Sequence, residues 1–367
     1  MTCVRITLDG TPLLGRRTGI GRYVEHLVAA LPAAVERRGL ASRLDVTTWT
    51  ARGGRVPDLP AGVRQVGPRV PARLLRAAWA RTDHPRIETL TGPSDVFHGT
   101  NFVSPPTRRA REVVTVHDLT YERHAATVSP ASLAYRELVP RALRRGAHVV
   151  TPSEAVATAV REHYALPERQ VTATPLGVDD AWFAAAPATP SALAARGLPG
   201  EFLLFVGSLD PRKNLSTLLD AHARARALDP DLPDLVLAGP AGREPALGGR
   251  PGVHLTGWLD DAALRALVAA SAALVLPSLD EGFGLPVLEA LACGRPVVVS
   301  RVPALLEVGG AVVVDAPALD ADGLADALRR VLTAPDDADA RAARRTHARR
   351  FTWAACADRT LDVYLAS

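Results

Sequence analysis

Lysine is all but missing from this chain. A single one, Lys213, stands among 43 basic residues in 367. A chain that writes arginine wherever a generic positive charge serves, yet keeps one ammonium, marks a place for a compact, mobile cation. Arginine and lysine are not interchangeable where such a cation meets a phosphate. Cysteine is scarce too. Cys3, Cys293 and Cys356 lie far apart and form no CxxC or Cys/His pattern. That excludes a zinc site or a disulfide framework and reads as reduced thiols in a cytoplasmic protein. No apolar run approaches the ~20 residues of a membrane-spanning helix. The first residues, Cys3 to Asp9, read as a strand rather than a signal peptide. Aromatics make up 5% of the chain, and none interleaves the basic pairs Arg16-Arg17, Arg108-Arg109 and Arg144-Arg145. Nucleic acid is therefore not an expected partner.

The charge is uneven. Residues 1–180 hold 25 arginines against 17 acidic residues, about +8, and the remainder is about −4. Such a field suits an anionic acceptor or a negatively charged membrane surface, with peripheral association at the inner face of the plasma membrane. Solvated helix faces are the plainer reading.

Length favours two domains, and two rounds of strand–helix alternation are visible. In the first half, β-rich runs fall at 3–8, 44–49, 112–116 and 147–151, with helical stretches at 20–38, 130–145 and 153–163. In the second half, strands at 202–206, 234–238, 273–276, 296–299 and 311–314 alternate with helices near 213–228, 260–270, 285–293 and 320–333. Near-continuous apolar strands such as Ala273-Leu-Val-Leu276 are those of parallel sheets covered on both faces. The fold class is α/β, with two doubly wound Rossmann-like domains, 1–180 and 190–350, joined by an Ala- and Pro-rich linker over 179–199. Ligands in such sheets sit beyond the carboxyl ends of the strands. The site is expected in the cleft between the domains.

Two segments carry the chemistry. In Phe202-Leu-Leu-Phe-Val-Gly-Ser208-Leu-Asp-Pro-Arg212-Lys213, a buried strand leads to a turn whose cations open a helix. Basic residues are misplaced at a helix N-terminus unless an anionic ligand sits there. In Glu281-Gly282-Phe283-Gly284-Leu285-Pro286-Val-Leu-Glu289, glycines let the backbone approach a ligand and Pro286 suits the first helical position. The free N–H groups of that helix start form an anion site suited to a diphosphate. Glu281 precedes the turn and Glu289 is expected in the first helical turn, so the two flank the diphosphate. Cations for a diphosphate and carboxylates for hydroxyls are the parts of a nucleotide-sugar site. After the strand Val113–Val116, His117 is a candidate for contact with the transferred sugar and Asp118 for the acceptor hydroxyl or a turn cap. His98 and Asn101 are acceptor-side candidates.

With these residues in view, the chain resembles a retaining glycosyltransferase of family 4, with the GT-B architecture. The carrying segments are Thr18-Gly19-Ile-Gly21-Arg-Tyr23, Val96-Phe-His98-Gly-Thr-Asn101, Thr115-Val-His117-Asp118, Thr151-Pro-Ser-Glu154, Pro175-Leu-Gly-Val-Asp179, Val206 to Lys213, and Glu281 to Glu289, the family's E-x7-E motif. The resemblance spans nearly the whole chain. It implies that Glu281 contacts donor-sugar hydroxyls, Glu289 the ribose, and Arg212 with Lys213 the diphosphate. It also implies that Gly19 and Gly21 form a loop facing the phosphates and acceptor, and that residues 351–367 cross back onto the first domain. Family members often have arginine where this chain has Ser208, and Arg212 is the residue that can supply that charge.

The resulting expectation is transfer of a hexose from a nucleotide diphosphate sugar to a hydroxyl of a glycan, lipid-linked or small-molecule acceptor, with retention. GDP-mannose is favoured as donor by resemblance to bacterial mannosyltransferases, with UDP-glucose and UDP-N-acetylglucosamine open. Neither cofactor nor metal is expected. The triplets Asp320-Ala-Asp322 and Asp337-Ala-Asp339 lie in helical stretches where N-capping explains them. A nicotinamide-dependent oxidoreductase needs G-x-G-x-x-G directly after a strand, and the glycines at 10, 15, 19 and 21 lack that pattern. A non-catalytic sugar-nucleotide-binding subunit remains as the other reading.

Overall fold

The computed structural model describes residues 3–15, 17–51, 53–242 and 249–366. Arg16, half of one basic pair, lies outside them. The chain forms two compact units, Met1–Gly177 with Thr352–Ser367, and Val178–Phe351.

The first unit is built on seven parallel strands. They are β1 (Val4–Asp9), β2 (Ser42–Thr47), β3 (Arg64–Val66), β4 (Val96–Gly99), β5 (Arg111–Thr115), β6 (His148–Thr151) and β7 (Val171–Ala173), in the order β3-β2-β1-β4-β5-β6-β7. Ile6, Leu8, Phe97, Val113, Val114, Val149 and Val150 are all buried, which is why these runs lack polar alternation. The helix Gly19–Arg37 buries Val24, Leu27, Val28 and Leu31 at helical spacing. The final helix, Trp353–Leu365, belongs to the same unit. It is held to the first helix by ion pairs Arg37–Asp358 (2.9 Å) and Arg38–Asp362 (2.6 Å) and by stacking of Trp353 on His26 at 4.5 Å.

The second unit has six parallel strands: β8 (Phe202–Val206), β9 (Asp234–Ala238), β10 (Val253–Gly257), β11 (Ala273–Leu276), β12 (Val297–Ser300) and β13 (Val314–Ala316), in the order β10-β9-β8-β11-β12-β13. Both orders reverse direction beside the first strand of the unit, the point at which doubly wound sheets bind ligands. In the second unit that point lies between β8 and β11.

The structure corrects several expectations. Strands β3, β4, β7 and β10 are absent from the strand runs read in the sequence: β3, β7 and β10 are short or exposed edge strands, and β4, though fully buried, is only four residues long. The stretch 179–199 is not a free linker. It folds into two short helices of the second unit, Asp180–Phe183 and Pro190–Ala194, capped by Asp179 and Thr189. The run 311–314 begins as a 3-10 turn, and the strand follows at Val314. Among the described residues, no helix is long and apolar enough to cross a membrane.

Candidate functional site

In the second unit, the loops after β8 and β11 bring Lys213, Arg212 and Glu281 together, 68 and 69 positions apart in sequence. After β8 the chain makes a 3-10 turn, Pro211–Lys213, and turns through Asn214 at φ 56° before the helix Leu215–Leu228. Asparagine tolerates that left-handed backbone better than most residues. The cations therefore precede the helix across a distinct turn, rather than opening it as the sequence suggested. Lys213 is buried, and its Nζ donates to Glu281 Oε1. Arg212 Nη1 donates to Glu281 Oε2 at 3.0 Å and to the Asp280 carbonyl at 2.7 Å. Ser278 Oγ adds a 2.7 Å hydrogen bond to Glu281 Oε1.

Burial pushes the Glu281 carboxyl up, but Lys213, then Arg212, and the hydrogen bonds from Lys213 and Ser278 outweigh it and bring it to about 2. The carboxylate is thus charged at any ordinary pH. Glu281 was read from sequence as a loop carboxylate facing a sugar; here it neutralises the two cations that the sequence reading assigned to a diphosphate. Asn214 Nδ2 donates to the carbonyls of Pro277 (3.1 Å) and Ala318, and Ser300 Oγ to that of Ser278 (2.5 Å). These bonds cross-link the ends of β8, β11, β12 and β13 behind the cluster.

The turn that follows ends at Gly284, the N-cap of the helix Leu285–Ala292, with φ 98°. A Cβ there would lie 2.6 Å from Leu305 Cδ2, so both backbone and space require glycine. Pro286 falls within the first two helical positions. Glu289 is the fifth helical residue, not a first-turn residue as expected, and is 1% exposed. Its charge adds to burial in pushing the Cys293 thiol up to about 12. Phe283 and Leu285 are buried, Phe283 edge-on to Phe351 at 5.9 Å. These two side chains brace the turn. Ser208 is half-buried in the β8 turn.

In the first unit, His117 follows β5 and is buried between the rings of Tyr23 and Phe102, each 5.3 Å away. Its Nε2–H donates to the Thr100 carbonyl at 2.9 Å, which leaves Nδ1 as the acceptor. Burial lowers its pKa, so the ring is neutral. Asp118 accepts from the Thr120 N–H at 2.9 Å, which is the turn cap, one of the two roles read for it from sequence. Asn101 has a buried Oδ1 with no hydrogen-bond partner among the described residues.

His98 does not join them. It is fully enclosed, with Nδ1 bonded to Tyr364 Oη (2.6 Å) and Nε2 to Thr115 Oγ1 (2.7 Å). Burial first, then His117, brings its pKa down to about 3. It fastens the C-terminal helix to the sheet and presents nothing to an acceptor. Gly19 opens the first helix, and a Cβ on Gly21 would lie 2.8 Å from the Pro12 carbonyl oxygen, so Gly21 lets the β1 loop pack on the helix.

Asp320 and Asp337 cap the helices Ala321–Thr333 and Ala338–Ala348 through their side chains. Sequence reasoning missed Ser278, Ser300 and Asn214. Only Asn214 carried a signal, as an asparagine directly before a helical pattern.

Residues 17–182 match the family described as Glycosyltransferase Family 4, and residues 200–334 match Glycosyl transferases group 1. The chain belongs to glycosyltransferase family 4. Its paired Rossmann-like units are those of the GT-B fold, and the Glu281–Glu289 turn lies inside the group 1 match. Among relatives of this family 4 chain is the O-antigen chain mannosyltransferase B of Escherichia coli, 28% identical over 98% of this chain and 99% of that protein. The MMP alpha-(1->4)-mannosyltransferase of Mycolicibacterium hassiacum is 33% identical over 62% of this chain and 56% of its own. Among solved structures, sucrose-phosphate synthase from Thermosynechococcus elongatus superposes with TM-score 0.71 at 21% identity, covering 98% of each chain. HepE of Anabaena, solved with UDP and glucose, gives 0.69 at 18% identity over the full length of both. These structural likenesses bear on the fold. The protein is a glycosyltransferase of the group 1 type.

Proposed function

We propose that this glycosyltransferase moves mannose from GDP-mannose to a hydroxyl of a glycan, lipid-linked or small-molecule acceptor, with retention and without a metal. The observation that carries the reading is the Lys213–Arg212–Glu281 cluster at the switch point of the second sheet. Charge-assisted hydrogen bonds from the two cations suit a diphosphate and stabilise it as it leaves with its negative charge. Glu281 then turns to donor-sugar hydroxyls, and Glu289 to the ribose. The dipole of the helix Leu285–Ala292 reinforces the phosphate site. On the side facing the acceptor, the departing diphosphate takes the hydroxyl proton. Neutral His117, with Nδ1 an acceptor, binds a sugar hydroxyl without adding positive charge.

The mannosyl donor is supported by a named mannosyltransferase that matches across the whole chain. UDP-glucose is the second reading, favoured by HepE, which was solved with that compound. Peripheral membrane association rests on the arginine-rich first half. The test is radiolabelled transfer from GDP-mannose, UDP-glucose and UDP-N-acetylglucosamine, with product anomers read by NMR and a chelator in a parallel arm. Mannose transfer with an α-linked product, unaffected by chelator, is expected. Binding of GDP without transfer from any donor would support a non-catalytic subunit, and activity restored only by a divalent ion would refute the metal-free chemistry.

A further inference from the structure

The first unit holds a pocket of about 790 Å³ that none of the residues above explains. It lies around the carboxyl end of β2 and along the edge strand β3. Among the described residues that line it, three are arginines, Arg55, Arg64 and Arg69, and none is acidic. Their charges are not equivalent. Arg64 is bound to Asp45 at 2.9 Å, and Arg43 holds the other oxygen of that carboxylate at 2.8 Å. Asp45 is thus already satisfied. Arg55 and Arg69 form no ion pair with any carboxylate among the described residues.

The wall is constructed rather than incidental. Gln65, on β3, accepts the Val56 N–H at 2.9 Å through Oε1 and donates through Nε2 to Thr48 Oγ1 (3.1 Å) and the Gly54 carbonyl (2.9 Å). One side chain thereby ties the loop after β2 onto the edge strand. Gly53, at φ 61°, leaves room for Arg69: a Cβ there would sit 2.4 Å from Arg69 Nε. The guanidinium lies across the loop backbone because position 53 has no side chain.

We propose that this pocket binds a phosphate group carried by the acceptor. A concave site with two unpaired guanidinium groups and no acid concentrates anions, and planar guanidinium groups recognise phosphate oxygens in pairs. The donor diphosphate has its own cations in the other unit, so this pocket serves a different phosphate. It stands two strands from the switch point of the first sheet, roughly 10 Å at the usual interstrand spacing. A sugar unit with its reactive hydroxyl at the switch point spans that distance to its phosphate. A soluble sugar phosphate offers a monoester there, whereas a lipid-linked sugar offers a diester. The proposal rests on the glycosyltransferase reading and names the acceptor's chemistry.

The test titrates methyl phosphate and dimethyl phosphate into the full chain saturated with GDP, so that the donor cations are occupied. Wild type should bind at least one of them, and Arg55→Gln with Arg69→Gln should weaken that binding about tenfold or more, while Arg109→Gln leaves it unchanged. Preference for the monoester points to soluble sugar phosphates, and equal or better binding of the diester to lipid-linked ones. Gln65→Ala, which keeps every charge but frees the loop, should weaken it as well. GDP affinity and melting temperature of the double variant report separately on the donor site and the fold. Failure of wild type to bind either phosphate, or equal binding by wild type and the double variant, overturns the pocket assignment. Loss of GDP binding by wild type would overturn the donor reading instead.

Discussion

Replacing Glu281 by Gln should make the protein bind GDP more tightly and transfer sugar more slowly. In the structure Glu281 occupies Lys213 and Arg212 together. Its carboxyl falls from an ordinary 4.5 to about 2 in spite of burial. A drop of that size corresponds to roughly 3 kcal/mol of preference for the charged form. Part of it belongs to Ser278, and part to interactions that persist alongside a diphosphate. If about half acts against an incoming anion, the neutral amide should tighten GDP about tenfold. Removing the buried carboxylate also leaves its partners uncompensated, which costs about 3 kcal/mol or more. The variant should therefore melt lower than wild type, and saturating GDP should raise its melting temperature by more. Turnover should fall at least tenfold, since the carboxylate proposed to hold the donor sugar is gone. Calorimetry at low salt reads the affinity. GDP binding by Glu281→Gln that is equal to or weaker than wild type would refute the competition between carboxylate and diphosphate. The pH dependence follows the same sign: stability contributed by the depressed carboxyl is complete above about 4.5 and lost as pH falls toward about 2, so wild type and variant should converge only in strong acid.

Ser278→Ala removes a 2.7 Å hydrogen bond to the same carboxylate. It should lower kcat/KM about tenfold, with Ser278→Thr restoring most of it, as steady-state kinetics will show. Gly284→Ala forces a side chain into φ 98° and against Leu305. It should cost about 1–3 kcal/mol in denaturant unfolding and weaken GDP binding through the shifted helix start. For His98, whose pKa is depressed to about 3, stability is full above 6.5 and declines as pH falls below it, because only the unfolded chain gains the proton. His98→Gln should flatten that decline in acid-titrated melts and leave GDP affinity unchanged.

The long apolar strands of both sheets were legible in the sequence, while the edge strands and the short central strand Val96–Gly99 were not. Phe202–Val206 and Asp234–Ala238 were placed at their observed bounds because strands buried on both faces are apolar throughout. Arg64–Val66 and Val253–Gly257 gave no such pattern, since an edge strand shows solvent one side of its backbone. Site residues divided along similar lines. Lys213 and Glu281 announced themselves by rarity and by the glycines beside them. Their mutual ion pair did not, because it depends on β8 and β11 being neighbours despite the strands between them in sequence. His98 misled because a histidine in a short strand, here Val96–Gly99, looks the same in sequence whether it faces a ligand or Tyr364. Glu289 was assigned to the first turn by counting from Pro286 as the first helical position, whereas the helix begins at Leu285 and Glu289 is its fifth residue. Ser278, Ser300 and Gln65 act through hydrogen bonds to groups that only the fold brings near.

The claim at the centre is that protein cations of the second unit hold a nucleoside diphosphate. Calorimetric titration of GDP and UDP into wild type and Lys213→Met tests it most directly. The account predicts measurable binding of at least one nucleotide to wild type, weakened tenfold or more by loss of the one ammonium in the chain. Absence of binding by both nucleotides, or equal affinity in the two proteins, would contradict it.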